Sequence, residues 1–453
     1  MLRTFTNAWK IVDLRKKLIF TALIVLVYRI GSAIPVPFVE IADRSVNGGL
    51  FGEEAAGTFI TYLSMMTGNA FNYGTLFALS ITPYINASII IQLLTVAIPY
   101  LQNLSKEGEE GRKKMNKITR YSALGLGLLQ SIAYYFFIKS ENMLLAVPSG
   151  DLKVVWEIFQ AVVIVLCYTA GTAIVMWLGE LINDKGIGNG ISMILFAGIV
   201  ARMPTTIYQL YSYLEKGGTA KWSDSFEIYY ILVPIAAISL VGMIFFIIWM
   251  DNAERKIPIQ YAKRVVGRKM YGGQSTHMPI KVNMCGVLPV IFASSILSIL
   301  PTVAMFMNLE NGNPFKKFCE EWLAPTSAFY GVIYFILIIF FAYFYASIQY
   351  NPTEMAENLR KNSGSVPGLR PGKPTATYIQ NILSRMILIG ALLLSVVALF
   401  PIVFSVFAGL VATNGMDLAI GGTSIIIMVG VALETQKQLE SQMMMRHYRG
   451  FLD

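Results

Sequence analysis

The feature that most constrains this chain is the recurrence of apolar blocks, each roughly 20 residues long, between polar loops. A helix rising about 1.5 Å per residue needs that length to cross roughly 30 Å of hydrocarbon. Spans are read near residues 18–38, 74–100, 118–138, 154–179, 190–213, 229–250, 284–306, 327–348, 383–405 and 420–440. With 55% of its 453 residues hydrophobic and only 14% charged, the chain has too few charged groups to cover a water-facing surface. The first block follows a basic segment, as the core of a signal peptide would. Tyr28-Arg29-Ile30-Gly31 holds no small-x-small cleavage site, so it reads as a retained span.

Orientation follows from the basic residues, which stay on the cytoplasmic side of short loops. Most of the 36 Lys and Arg fall on one side: the N-terminal segment 1–17, the loop from Lys106 to Arg120, Lys185, the loops 251–283 and 349–384, and the tail 441–453. Arg44, Lys139, Lys153, Arg202, Lys216, Lys221, Lys316 and Lys317 fall on the other. Both termini are therefore expected in the cytoplasm. Ten spans divide into halves of five, 18–213 and 229–440, joined by an external linker at 214–228. An odd number per half makes the second half an inverted repeat of the first. Pro83-Tyr84-Ile85-Asn86-Ala87-Ser88 and Pro289-Val290-Ile291-Phe292-Ala293-Ser294, five spans apart, share P-x-I-x-A-S. Between spans one and two, residues 58–71 are apolar but too short to cross. They read either as a re-entrant half-helix or as an amphipathic helix on the outer surface.

Catalytic and metal chemistry find no support. Cys167, Cys285 and Cys319 have no paired spacing, and His277 and His447 lie in polar segments. Gly368-Leu369-Arg370-Pro371-Gly372-Lys373 lacks P-loop spacing, and Gly186-Ile187-Gly188-Asn189-Gly190 reads as a turn between spans. No metal, cofactor or catalytic residue is expected. Arg29 is the one clear ionisable candidate at mid-membrane, either structural or near an outer vestibule. Apolar Ile81, Ile85, Ile291 and Ile427 sit in the central spans beside Asn86, Gln92 and Gln130; they suit a deformable apolar constriction or plain packing. The loop 251–283 alternates strand-like and basic residues and reads as a hairpin able to dock an acidic protein, RNA phosphates or lipid headgroups. On these residues alone a secondary transporter and a membrane scaffold remain rivals to a channel.

Several stretches resemble the SecY family of protein-conducting channels: FALSITPYINASIIIQLLT (77–95), EGEEGRKKMNKITRY (107–121), WLGELINDKGIGNGISMILFAGIVA (177–201), QYAKRVVGRKMYGGQSTHMPIKVNMCGVLPVIFASSIL (260–297), NPTEMAENLRKNSGSVPGLRPGKPTATYI (351–379) and GGTSIII (421–427). The resemblance implies an all-α integral membrane protein: ten helices in a two-half clamshell with a re-entrant plug. It implies a plug at 58–71 (Thr58, Phe59, Tyr62, Met65, Met66, Phe71) and a pore ring of Ile81, Ile85, Ile191, Leu195, Ile291 and Ile427. Leu195 stands where isoleucine is usual. Asn86, Gln92 and Gln130 would line a lateral gate between spans two to three and seven to eight. Arg370, with Arg255 and Lys256 at the tip of the first large loop, would dock a motor or ribosome. The implied companions are SecE and SecG, the SecA ATPase, the ribosome with possible ribosomal RNA contact, membrane lipid, and polypeptides bearing signal sequences. The implied location is the bacterial plasma membrane.

Overall fold

The computed structural model describes residues 2–39, 67–68, 70–140, 143–145, 153–216, 219–220, 223–227, 229–261, 264–266, 269–271, 275–306, 314–323, 327–411 and 422–449. A short amphipathic helix, α1 (Leu2–Lys10), leads into α2 (Val12–Gly31). The first half continues with α3 (Thr82–Ala97), α4 (Pro99–Lys106), α5 (Glu109–Ser140), α6 (Lys153–Lys185) and α7 (Gly190–Lys216). After a hairpin of β1 (Thr219–Ala220) and β2 (Ser223–Glu227) comes α8 (Tyr229–Asn252), then the strands β3 (Glu254–Tyr261), β4 (Arg264–Val266), β5 (Lys269–Tyr271) and β6 (Ser275–Lys281). The chain ends with α9 (Leu288–Phe306), α10 (Pro314–Glu321), α11 (Ala328–Gln349), α12 (Pro352–Lys361), β7 (Gly364–Ser365), α13 (Lys373–Val411) and α14 (Gly422–Arg449).

Six of these helices, α5, α6, α7, α8, α11 and α13, are long and apolar enough to cross a bilayer, and α3 with α4 makes a seventh if the bent pair is one span. The break between α3 and α4 turns the chain by 106°. Pro99 causes it: a proline supplies no N–H to the preceding turn and forces Ile98 into extended backbone (φ −107°, ψ 113°). The other three expected spans correspond to α2, α9 and α14. Hydropathy is blunted in α2 by Asp13, Arg15, Lys16, Lys17 and Arg29, and in α14 by the polar run beyond Leu433. Length limits α9, whose apolar part is Leu288–Pro301.

Each long helix carries two faces. On α11, Val332, Ile336 and Phe340 are exposed at a spacing of four, whereas Tyr334, Ile338 and Phe341 are buried. The same division on α8 exposes Ile238, Phe245 and Trp249 and buries Met243, Ile247 and Met250. A soluble protein would not present such continuous apolar stripes to water; lipid is the solvent that fits them.

Spans two and seven begin later than hydropathy suggests. Residues 74–81 form turns, and α3 starts at Thr82 with Pro83 in its first turn; α9 starts at Leu288 with Pro289 in the matching position. A proline there sacrifices an N–H that has no helical partner anyway. The shared P-x-I-x-A-S is thus the same helix start used twice.

The two large loops fold into one unit. β3 lies between β6 and β7, antiparallel to both. Beneath this sheet Ile257, Ile280, Ala356, Val366, Ile379 and Leu383 form a core of their own. The expected hairpin is present, but its register corrects one placement. Arg255 pairs with Ile280 and Lys256 with Pro279, at the end of the ribbon where α8 enters, so these two residues lie at its base. The outer end is the β4–β5 hairpin, where Arg264 pairs with Tyr271 and Val266 with Lys269.

Candidate pore and the vestibule above it

All six residues expected in the ring meet in one apolar cluster. Ile81, Leu195 and Ile427 are buried members of it, and Ile85, Ile191 and Ile291 pack against it half-buried. They come from the entry and first turn of α3, from α7, α9 and α14. Leu195, despite its different branching, is 5% exposed and fills its place. Val287, one turn before Ile291, packs on the same cluster and was missed from sequence. The repeat could have found it: aligning Pro83 with Pro289 sets Ile81 against Val287 and Ile85 against Ile291.

Above this cluster opens a cavity of about 1040 Å³. Leu195, Ile291 and Ile427 form part of its apolar wall, while Asn183, Asp251, Lys281, Glu434, Lys437 and Gln438 supply polar groups. It opens beside the face that carries the strand ribbon, since Pro279, Ile280 and Lys281 of β6 line it as well. A polar cavity walled on one side by Leu195, Ile291 and Ile427 meets an apolar cluster, and an apolar neck disfavours water and ions because it offers them no hydrogen bonds or coordination.

The seam between the two halves is apolar too. Ile89 of α3 is buried in the cluster built by Val290, Phe292, Ala293 and Leu297 of α9, and Ile85 and Leu93 pack alongside at helical spacing. α9 also touches α5. Asn86, Gln92 and Gln130 are half-buried. Gln92 donates to Ser88 Oγ at 3.4 Å, and its Oε1 is buried without a partner.

Of the plug residues, Thr58, Phe59, Tyr62, Met65 and Met66 lie outside the described residues. Phe71 is described, and it is anchored: its ring packs on Tyr134 at 4.6 Å, and Tyr134 donates to its carbonyl at 2.6 Å. Tyr168 donates to Gly74 O, and the Tyr28 and Ser80 hydroxyls bond at 3.1 Å, so the chain from Phe71 to Ser80 is stitched to α2, α5 and α6. Arg370 is exposed on the turn before α13, and its carbonyl accepts from Thr375. Arg255 and Lys256 are exposed as well. Among the described residues no cluster of His, Cys, Asp or Glu could hold a metal.

The family model for SecY matches residues 75–436. The chain belongs to the SecY family. It is 42% identical over 463 residues to the protein translocase subunit SecY of Streptomyces galbus, with all of both chains covered. The subunit of Mycobacterium bovis is 43% identical over 460 residues, again with full coverage. Corynebacterium glutamicum has one 40% identical, covering 98% of this chain and 99% of that one. Among solved structures, a protein-conducting channel aligns with a TM-score of 0.62 at 16% identity, covering 94% of this chain and 92% of that chain. Sec61 from a canine ribosome-channel complex aligns at 0.59 and 16% identity, covering 94% and 92%. The family is one of channels, and the fold is shared across it; the ring and vestibule are what this chain's own residues add to that statement.

Proposed function

We propose that this chain is the channel subunit through which unfolded secretory polypeptides cross the bacterial plasma membrane, and from which apolar segments leave sideways into lipid. The observation that carries this reading is the convergence of six apolar residues from both halves in one cluster, three of which, Leu195, Ile291 and Ile427, wall a polar vestibule. An extended chain passing such a ring meets no hydrogen-bonding group, so the ring has little affinity for any one side chain. A signal sequence, itself an apolar helix, would part the Ile89 seam because both lipid and the seam residues stabilise it. Its binding would shift the closed population toward the open one. In this reading ten helices cross the membrane, both termini and the vestibule face the cytoplasm, and the segment 58–71 is the plug.

No residue set suggests that the chain supplies its own energy, so a partner does: the SecA ATPase or the translating ribosome, docked on the strand ribbon and Arg370. Sec61 and the yeast Ssh1 complex, both of which share this fold, are known bound to ribosomes. The ribbon's outer end carries two further basic positions, Arg264 and Lys269, a composition that suits rRNA phosphates or an acidic protein. SecE and SecG would complete the complex.

The test is crosslinking of a stalled precursor to single cysteines at Ile85, Ile291 and Ile427, in vesicles supplied with SecA and ATP. Crosslinks at all three that vanish without ATP are expected. Intact insertion and motor binding with no crosslink would sink the pore assignment.

A further inference from the structure

Arg202 was counted among the basic residues outside the membrane although the span read at 190–213 contains it; α7 places it mid-helix, within a span. Its side chain faces inward: Nε and Nη1 are buried with no hydrogen-bond partner. At 100° per residue Arg202 falls about 20° from Leu195 on one side and about 20° from Ile191 on the other, so it continues the ring-bearing face of α7. Seven residues separate it from Leu195, about 10 Å along the axis and away from the vestibule. Val200, Ile207, Tyr208 and Tyr211 occupy the opposite, exposed face.

A second guanidinium approaches the same helix. Arg29, in the last turn of α2, also buries Nη1 without a partner. Gly68 marks where it meets α7: a Cβ on Gly68 would lie 3.1 Å from Arg29 Nη1 and 3.1 Å from Gly198 Cα, one turn before Arg202. Gly68 holds φ +65°, a conformation that glycine adopts freely. No carboxylate among the described residues bonds either arginine. Guanidinium nitrogens buried with no partner among the described residues are costly and suggest a group that is met only during use.

We propose that Arg202 and Arg29 form a cationic collar beyond the apolar ring, which favours acidic segments of the polypeptide in transit and retards basic ones. The inference rests on the channel reading above. A unit charge passing about 7 Å from a guanidinium in water gains or loses about threefold in population, so acidic and basic segments separate by roughly fivefold to tenfold. The ring itself, being apolar, selects on neither sign.

The test compares three precursors carrying six consecutive Glu, Ser or Lys in the mature region, transported into vesicles with SecA and ATP and no imposed potential. The expected result is a Glu-to-Lys rate ratio of about five or more that Arg202→Gln or Arg29→Gln lowers at least threefold, that Arg202→Lys retains, and a Ser rate unchanged throughout. A ratio equal in wild type and both Gln variants overturns the collar while leaving the channel. Equal slowing of all three precursors overturns it in favour of a structural role. Failure of every precursor to cross in the wild-type protein overturns the collar and the pore together.

Discussion

Ser80 and Gly286 hold the same place in the two halves: each has a positive φ, 48° and 61°, three residues before the proline that opens a pore-lining helix. The left-handed residue turns the chain so that Ile81 and Val287 enter the ring from the residue that precedes each helix, and in both halves the fourth residue on, Ile85 or Ile291, closes the first helical hydrogen bond back to it. Nothing lies within 4 Å of where a Gly286 side chain would begin, so only backbone strain opposes one. Gly286→Ala should therefore lower stability by about 1 kcal/mol. Gly286→Asn should cost less, because asparagine tolerates this conformation. Thermal unfolding of the purified protein in detergent, followed by dye labelling of buried Cys285, measures both; equal losses would count against strain as the cause.

Ile427 and Ile291 both border the vestibule, but Ile427 is 2% exposed in the ring cluster whereas Ile291 is half-buried. Ile427→Asn removes apolar contact and buries an amide, a cost to the closed state of roughly 3 kcal/mol. Ile291→Asn should cost less, and Val287→Asn should behave like Ile291→Asn because it packs on the same cluster. The expected readout is severalfold faster transit of precursors with impaired signal sequences, in the order Ile427 before the other two. Unchanged discrimination in all three would remove them from the gate.

Much of this was legible in the sequence because the bilayer imposes a length on apolar runs, and because prolines and basic loops punctuate them. The ring was legible only through family resemblance; helical periodicity by itself left its isoleucines open to a packing role. Arg255 and Lys256 were misplaced because strand register depends on pairing across 251–283, which no local signal encodes. Arg202 was misread for a different reason: a single cation in an apolar run looks like a flank, even though the span read at 190–213 contained it, and α7 places it mid-helix. Most of the plug expectation lies outside the described residues, and of its six named residues Phe71 alone is placed.

The loop unit separates docking from folding. Ile379 is fully buried in the core shared by the two loops, so Ile379→Ala should destabilise the unit by about 2–4 kcal/mol. Arg370 is exposed, so Arg370→Ala should leave stability within about 0.5 kcal/mol. If the unit is the docking platform, both variants bind ribosomes or SecA more weakly, and Arg264→Ala at the outer end weakens binding more than Arg255→Ala at the base. Cosedimentation at two salt concentrations measures this; equal effects at base and outer end would mean that net charge alone matters.

α1 straps the last helix to the first half. Thr4 donates to Glu440 Oε1 at 3.0 Å, Gln436 donates to the same oxygen at 2.9 Å, and Ala8, Leu14, Ile187 and Leu439 close a small core beneath them. Beside it, Gly188 N donates to Gln438 Oε1 at 2.6 Å. Glu440 lies past the apolar part of α14, and the hydrogen bonds from Gln436 and Thr4 hold its carboxyl below the usual range. A carboxyl with a lowered folded pKa stabilises the fold above its unfolded pKa, and that contribution disappears as pH falls through the folded value. Wild type should therefore be more stable than Glu440→Gln at pH 7, and the gap should close in acid, below the ordinary glutamate range. Thr4→Val, which removes one donor, should move the closing point upward. A gap that persists unchanged at low pH would show that Glu440 acts through packing, and the strap would then rest on the Ala8–Leu439 contact alone.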